Sequence, residues 1–208
     1  MPALSQGQTG GHDGNRSVAM GEANELSAAI EHVLLDEAAI SGRVRELARS
    51  ISADYAHIRH SDERLVLVGV LKGAFVFLAD LARHLSIPHH VDFIALSSYN
   101  ASATASEVRL IMDSRINVAG HHVLIVEDIV DTGHTLDYLL RTFQARHPRS
   151  LKSCVFLNKP DRREVEVKID YLGFKIPDVW VVGYGLDFAD RYRTLPYIGA
   201  LRREIYEA

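Results

Sequence analysis

The stretch VLIVEDIVDTGHTL, residues 123–136, determines how the rest of the chain is interpreted. It begins with four apolar, mostly β-branched residues at 123–126, a pattern typical of a parallel strand buried on both faces. Two acids, Glu127 and Asp128, follow where that strand is expected to end, and a small polar turn occupies 131–135. Apolar residues then recur with helical spacing. The stretch therefore predicts a strand, an acidic strand end, a polar loop and the start of a helix.

The turn at 131–135, Asp-Thr-Gly-His-Thr, has the composition of a site for a phosphate monoester. It offers two hydroxyls and several backbone N–H groups, with the positive end of a helix dipole behind them. The two preceding acids cannot share that position with a phosphate, because like charges repel. They suit sugar hydroxyls, or a cation held through water. The alternative is an ordinary helix cap, but a cap needs only one such residue.

Length and composition limit the possible functions. A chain of 208 residues with 47% hydrophobic composition can bury one core and carry a small appended lobe. Its net charge of −4 argues against nucleic acid bound on a basic face. The single cysteine, Cys154, lies in an apolar run, which indicates a buried inert thiol and a reducing cytoplasmic location. We expect no membrane partner, because no apolar segment is long enough and no secretory leader is recognisable.

The rest of the chain alternates strand and helix patterns. Residues 1–24 are rich in Gly, Ser, Gln and Asn, and we predict a disordered tail there. A strand is predicted at 30–35, and Asp36 is suited to cap a following helix with one apolar face. Further extended segments are predicted at 65–71, 91–98, 108–112, 151–157 and 169–173.

Three other features have a functional and a purely structural interpretation. Lys72 and Gly73 follow a buried strand on the side where α/β sheets bind ligands, but they could also be a surface lysine and a helix-start glycine. The small polar segment 100–107 is either a mobile loop or a linker. Trp180, the only tryptophan, either belongs to the core or stacks on a planar base.

Two pairs of adjacent histidines, at 89–90 and at 121–122, suggest a metal site at first sight. Adjacent residues on a strand point to opposite faces of the sheet. Neither pair is therefore expected to chelate one ion, and we predict no function for them.

The order of an apolar strand, two acids, two apolar residues and Asp-Thr-Gly-x-Thr resembles the signature of the type I phosphoribosyltransferases, which bind phosphoribosyl pyrophosphate (PRPP). The C-terminal part is similar to the bacterial hypoxanthine(-guanine) phosphoribosyltransferases in the block 177–184 and in the ending 191–199. The resemblance runs from about Ile30 to near the C-terminus. Trp180 stands where Phe or Tyr is common, which keeps a stacking face, and His134 lies in a loop expected to bind through its backbone.

The resemblance implies an α/β fold of the type I phosphoribosyltransferase class. Its mostly parallel sheet would be flanked by helices, with the ligand at the carboxyl ends of the strands. In this reading residues 25–208 form one domain. Its core spans about 36–165, and a small hood is built from about 25–35 and 166–208.

The implied reaction joins PRPP to a 6-oxopurine base, hypoxanthine and guanine foremost, giving the nucleoside monophosphate and pyrophosphate in purine salvage. Mg²⁺ is the implied cofactor, and a homodimer or homotetramer is the implied assembly. The implied PRPP-binding residues are Glu127, Asp128, Asp131, Thr132, Gly133, His134 and Thr135, with Asp131 as the catalytic base. The implied pyrophosphate ligands are Leu71, Lys72, Gly73 and Arg193, beside a flexible loop that begins at Ser98 and Tyr99. The base would meet Lys159, Trp180, Val181 and Asp187, and the metal would meet Asp187, Glu127 and Asp128.

Two other classes of protein remain open at this point. A non-catalytic regulator could use the same fold to sense PRPP or nucleotides, but it would be expected to lack part of the set Lys72, Asp131, Lys159 and Asp187. An unrelated doubly wound fold, such as a phospho-accepting receiver, also places acids at strand ends. In a receiver, however, the Thr-Gly-x-Thr loop has no role.

Overall fold

The computed structural model describes residues 28–60, 62–99 and 107–207. The predicted tail at 1–24 and most of the predicted mobile loop lie outside the described residues. In chain order the elements are β1 (Ile30–Leu35), α1 (Glu37–Asp54), β2 (Leu65–Leu71), α2 (Phe75–His84), β3 (His89–Tyr99), β4 (Glu107–Met112), β5 (His122–Val130), α3 (His134–Gln144), β6 (Ser150–Asn158), β7 (Tyr171–Lys175), β8 (Val181–Val182), β9 (Ile198–Leu201) and α4 (Arg203–Tyr206). Short 3₁₀ turns occupy Ala56–His60 and Pro160–Arg162.

The larger sheet has six strands in the order β4-β3-β2-β5-β6-β7. Neighbouring strands in this sheet are parallel, except for the antiparallel pair of β3 and β4. Helices cover both faces: Leu65 and Leu67 of β2 pack in one cluster with α1 and α2, whereas Val66 and Val68 pack with α3. Because β2 is buried on both sides, it has a continuous apolar run rather than an alternating one.

The smaller sheet joins the two ends of the described chain. Strand β9 lies between β1 and β8 and is antiparallel to both. A separate apolar cluster, which includes Ile30, Val182, Tyr192 and Leu201, stabilises this sheet. Strand β7, which the sequence assigned to the hood, is instead the edge strand of the larger sheet.

The predicted end of the central strand was wrong. Strand β5 does not stop before Glu127 but continues through both acids to Val130. Its pairing with β2 ends at Val126, whereas its pairing with β6 continues as far as Val130 opposite Asn158. The two acids therefore lie on a strand that is paired on one side and open on the other.

Residues 176–187 contain little regular strand. Only the two residues of β8 pair with β9. Pro177 has no N–H to contribute to a sheet, and its carbonyl accepts a 2.9 Å hydrogen bond from the N–H of Val179, which turns the chain. Among the described residues, no helix is long and apolar enough to cross a membrane.

Candidate active site

The turn 131–135 connects β5 to α3, and we call it the phosphate loop. Gly133 precedes the helix with φ 97°, a conformation that favours glycine. The carbonyl of Thr132 accepts hydrogen bonds from the N–H groups of Glu164 (2.9 Å) and Val165 (3.0 Å). A Cβ atom on Gly133 would lie 2.4 Å from the carbonyl oxygen of Val165. The loop is therefore held from behind by backbone contacts that leave no space for a side chain.

The first turn of α3 faces a cavity. The N–H of Asp137 donates to the carbonyl of Gly133 at 3.0 Å, so the N–H groups of residues 134–136 precede the helical hydrogen-bond ladder. Such groups bind anions well. The cavity measures about 270 Å³ and is lined by Glu127, Asp128, Ile129, Val130, Asp131, Thr132, Gly133, Thr135 and Leu136. The imidazole of His134 lies on the outside instead, with Nε2 2.8 Å from Oε2 of Glu164.

The two acids of β5 are electrostatically unusual. Burial, and then the charge of Asp128, raise the pKa of Glu127 well above its usual value, and its Oε2 accepts no hydrogen bond from the described residues. Burial raises the pKa of Asp128 to about 6; nearby Asp187 acts in the same direction, whereas Arg193 opposes it. Three carboxylates thus lie close together with unused acceptor capacity. Oxygen donors of this kind fit a hard divalent cation such as Mg²⁺.

The loop after β2 packs directly against these acids. A Cβ atom on Gly73 would lie 1.6 Å from Oδ2 of Asp128, so only glycine lets the loop approach so closely. The peptide between Leu71 and Lys72 is cis. On the other side, Gly185 has φ 103°, and a Cβ there would lie 2.1 Å from the carbonyl oxygen of Gly73. The C-terminal segment therefore reaches the strand ends of the larger sheet at this point.

Lys72, Asp187, Asp190 and Arg193 form a group that we call the cationic corner. Oδ1 of Asp190 lies 2.9 Å from Nζ of Lys72 and 3.0 Å from Nη2 of Arg193. The same Nη2 atom lies 2.8 Å from Oδ1 of Asp187. Nη1 of Arg193 donates to the carbonyl of Gly185 at 2.9 Å. One exposed carboxylate thus bridges the two cations that the sequence assigned to pyrophosphate.

Lys159 follows β6 and has a buried side chain. Its N–H donates to the carbonyl of Val130 at 2.9 Å, which fixes it beside the phosphate loop. Its Nζ lies 3.6 Å from Oδ1 of Asp178, and Nη1 of Arg162 lies 3.7 Å from the same atom. Nε of Arg162 also lies 2.9 Å from Oδ1 of Asp131, at ion-pair distance but without the alignment of a hydrogen bond. A chain of ion pairs therefore links Asp131 to Lys159.

Trp180 is half-exposed and packs against aromatic rings from the C-terminal segment. Its ring stacks on Tyr206 with centroids 5.3 Å apart and an interplanar angle of 24°. Phe188 meets it edge-on at 5.6 Å and 89°. The next residue, Val181, is buried in β8. Because Tyr206 covers one face of the indole, a stacked ligand would have to use the other.

Comparison with known proteins agrees with this geometry. The sequence profile of the phosphoribosyl transferase domain matches residues 33–189. The chain belongs to this phosphoribosyltransferase family. It is 46% identical over 168 residues to the hypoxanthine phosphoribosyltransferase of Salmonella typhimurium, covering 80% of this chain and 93% of that protein. It is 43% identical over 180 residues to the hypoxanthine-guanine phosphoribosyltransferase of Bacillus subtilis, covering 86% and 97%.

Solved structures lead to the same family. A hypoxanthine phosphoribosyltransferase structure from Trypanosoma cruzi superposes with a TM-score of 0.82 at 44% identity, covering 86% of this chain and 94% of that one. The predicted α/β fold with a mostly parallel sheet is thereby confirmed.

This phosphoribosyltransferase brings most of the predicted residues to one end of its larger sheet, where the parallel strands terminate. The phosphate loop, the two acids, Lys72 and Gly73 lie at or just beyond the carboxyl ends of β2 and β5. Leu71 ends β2 and is partly buried. Ser98 and Tyr99 lie at the end of β3, where they pair with Val108 and Glu107 of β4, and their side chains are outside the described part of the chain.

Sequence reasoning missed three side chains of this end: Arg162, Asp190 and Tyr206. Arg162 lies in the 3₁₀ turn after Lys159, and a basic residue so near a predicted site lysine was the available signal. The N–H of Asp190 donates to Oδ2 of Asp187 at 2.8 Å. The available signal for Asp190 was the spacing of two acids within a turn, which is typical of such a contact. Tyr206 has no local signal, because its contact with Trp180 depends on the smaller sheet.

Proposed function

We propose that this protein transfers the phosphoribosyl group of PRPP to N9 of a 6-oxopurine, hypoxanthine and guanine foremost, as an enzyme of purine salvage. The products are the nucleoside monophosphate and pyrophosphate. One observation carries the proposal: an anion-binding helix start, a pair of buried acids and two cations converge at one edge of the sheet. The relatives that are 43–46% identical bear the names of this activity, which supports the same substrates here.

In this proposal the phosphate loop binds the 5′-phosphate of PRPP. Backbone N–H groups at the start of α3 and the hydroxyls of Thr132 and Thr135 supply the donors. Glu127 and Asp128 accept hydrogen bonds from the ribose hydroxyls. Because burial raises the pKa of both acids, cation binding, which favours their ionised forms, is coupled to proton release in the pH range where they are protonated.

The cationic corner binds the pyrophosphate group. Lys72 and Arg193 neutralise it, and the close approach of Gly73 brings backbone to the same place. Glu127, Asp128 and Asp187 would hold Mg²⁺, which would supply positive charge to balance that of the pyrophosphate.

Asp131 acts as the general base on the purine. It takes the proton from N7 while N9 attacks the sugar. Arg162 is ion-paired with its Oδ1 and restricts where the carboxylate can lie. The base itself stacks on the open face of Trp180 beside Val181, and Asp187 lies nearby.

Lys159 selects the base. Its ammonium group carries three donors and no acceptor, so it can bond a 6-oxo oxygen but not a 6-amino group. Because Lys159 is buried, adenine would leave two donors facing each other without water. Such a mismatch can reject an analogue by about 10⁴–10⁵-fold. We further propose a cytoplasmic location and a homodimeric or homotetrameric assembly.

The direct test is an assay of pyrophosphate release with Mg²⁺, PRPP and a panel of purine and pyrimidine bases. We expect release with hypoxanthine and guanine, and none of comparable rate with adenine or pyrimidines. If no 6-oxopurine supports release, the proposed activity is wrong.

The role of Lys159 has a sharper test. We expect Lys159→Gln to lower the ratio of kcat/KM for hypoxanthine to that for adenine, mainly by losing hypoxanthine. The matched control is Lys175→Gln, since Lys175 is an exposed lysine on the adjacent strand β7. If the ratio is the same in wild type and Lys159→Gln, another residue recognises the 6-position.

A further inference from the structure

A second group of ligand-type side chains lies at the opposite end of the larger sheet, where the parallel strands β2 and β5 begin. His57 belongs to the 3₁₀ turn Ala56–His60 after α1, Glu63 precedes β2, and His122 is the first residue of β5. One ligand atom from each of the three lies within 4.8 Å of the others. Strand β2 has seven residues, so this end is about 23 Å from the one that carries Lys72. The group is therefore separate from the active site.

His122 is held in one orientation. It is buried, its Nδ1 lies 2.7 Å from the hydroxyl of Ser150, and its Nε2 lies 3.1 Å from Oε2 of Glu63. Because Nε2 faces the Glu63 carboxylate, it carries the proton in the metal-free protein. A metal ion would replace that proton, and Nδ1–H would then donate to the hydroxyl of Ser150. Metal-binding histidines are fixed in this way by a partner on the second ring nitrogen.

Glu63 presents one oxygen to the histidines and the other to a cation. Its Oε1 lies 2.9 Å from Nη2 of Arg149, and its Oε2 faces His122. The carboxylate is thus held in place by a partner on its far side, as ligating carboxylates commonly are.

We propose that His57, Glu63 and His122 form a zinc site with a fourth position open to water. Two imidazoles and one carboxylate suit Zn²⁺, whereas Mg²⁺ prefers oxygen ligands alone. Around a tetrahedral zinc ion with bonds of about 2.0–2.1 Å, ligand atoms lie about 3.3–3.4 Å apart. The 3.1 Å between His122 and Glu63 is close to that spacing. His57 is exposed on a short turn, and it needs to move by no more than about 1.5 Å to complete the set.

The site would join the connection between α1 and β2, which carries His57 and Glu63, to the start of β5. Its expected role is to stabilise the fold, because it is remote from the reacting groups. Binding to the native state alone raises stability in proportion to the logarithm of ligand concentration. Zinc should therefore raise the Tm and leave kcat unchanged.

The test is calorimetric titration of the full chain with Zn²⁺ in a buffer that contains excess Mg²⁺ to occupy the active-site acids. We expect one ion per chain with micromolar or tighter affinity, and an increase in Tm. His57→Gln should abolish both, and it should still fold because the side chain is exposed. Ser150→Ala, which removes only the partner of His122, should weaken the affinity by about 10–100-fold. His90→Gln, an exposed histidine at the same edge, should leave the affinity unchanged.

Cobalt provides a second measurement that does not depend on stability. Co²⁺ bound by the wild type should show the intense visible absorption of a four-coordinate ion, and His57→Gln should not. If wild type and His57→Gln bind Zn²⁺ alike, or if the wild type binds none, the cluster is only an ion pair between His122, Glu63 and Arg149, and the proposal is overturned.

Discussion

The phosphate loop and the cationic corner lie at the same edge of the sheet but are assembled in different ways. The loop consists of five consecutive residues whose backbone is tied to the segment behind it by hydrogen bonds from Glu164 and Val165. The corner joins Lys72 to Asp190, which are 118 positions apart, through exposed ion pairs. The backbone of the loop is thus fixed, as the proposed phosphate site requires, whereas in the corner an acid of the protein is paired with the cations proposed to bind pyrophosphate.

The largest effect is expected from the one loop residue with a chemical role. Asp131→Asn should lower kcat by about 10²–10⁴-fold, the range for a positioned general base. PRPP affinity should change far less, because the preformed loop binds through its backbone. Single-turnover rates and equilibrium binding of PRPP measure the two quantities, with Asp137→Asn on the following helix α3 as control. A large loss of PRPP affinity with unchanged turnover at saturation would contradict this division of roles.

A second prediction concerns the rigidity of the loop. Gly133→Ala should weaken PRPP binding by at least about 10-fold, because its Cβ would clash with the Val165 carbonyl and displace the loop. Gly120→Ala is the matched control: Gly120 also has positive φ, but nothing lies within 4 Å of its Cβ position. That variant should lose only about 1–2 kcal/mol of unfolding free energy and no PRPP affinity. Equal losses of affinity in both variants would show that the loop contacts do not matter.

The acids between loop and corner lead to a prediction about pH. The pKa of Asp128 is about 6 in the folded protein, above its ordinary value of 3.8, because of burial. The native state therefore binds more protons than the unfolded chain between about pH 4 and pH 6, and the free energy of unfolding falls as pH rises through that window. Glu127 acts in the same direction.

Asp128→Asn should remove the contribution of Asp128 to this pH-dependent loss of stability. The free energy of unfolding at pH 8 should rise by about 1–3 kcal/mol, and we expect a value near 1 kcal/mol because the side chain is partly open to solvent. Asp92→Asn is the opposing control. Although burial raises the pKa of Asp92, hydrogen bonds from Ser114 and from backbone N–H groups lower it overall, so its loss should destabilise the protein at pH 8. Chemical denaturation at several pH values measures both. A less stable Asp128→Asn protein would refute the electrostatic account.

The smallest effect is expected at the corner. Asp190→Asn should strengthen pyrophosphate binding by about 2–5-fold, because it removes an exposed carboxylate that competes for Lys72 and Arg193. Asparagine tolerates the positive φ of 58° at this position, so the turn should persist. The effect should shrink at high salt, where exposed ion pairs are screened. Weaker binding at all salt concentrations would mean that Asp190 orients the cations rather than occupying them.

The contrast between a loop of consecutive residues and a corner assembled from distant ones also explains what could be predicted from sequence. The bounds of β1 and β2 agree with the predictions. For β2 the reason is that a continuous apolar run reports burial on both faces directly. The phosphate loop was recognisable because its residues are consecutive. The end of β5 was not, since its last residues are kept in the sheet only by their pairing with β6. A related reason explains why sequence reasoning missed Arg162, Asp190 and Tyr206: their contacts form only when the chain is folded.

The pairing of strand β1 affects how the chain can fold during translation. Its partner in the smaller sheet is β9, and the side chain of Arg202 donates to the carbonyl of Ala28 across 174 positions of sequence. During translation at about 5–20 residues per second, β1 must therefore wait about 10–35 s for its partner. The segment that carries Trp180 and Asp187 is also made late, after the last strand of the larger sheet. Because Val181, Tyr184 and Ile198 pack in a core cluster of that sheet, premature termination near the end should leave β1 unpaired and the sheet only partly covered.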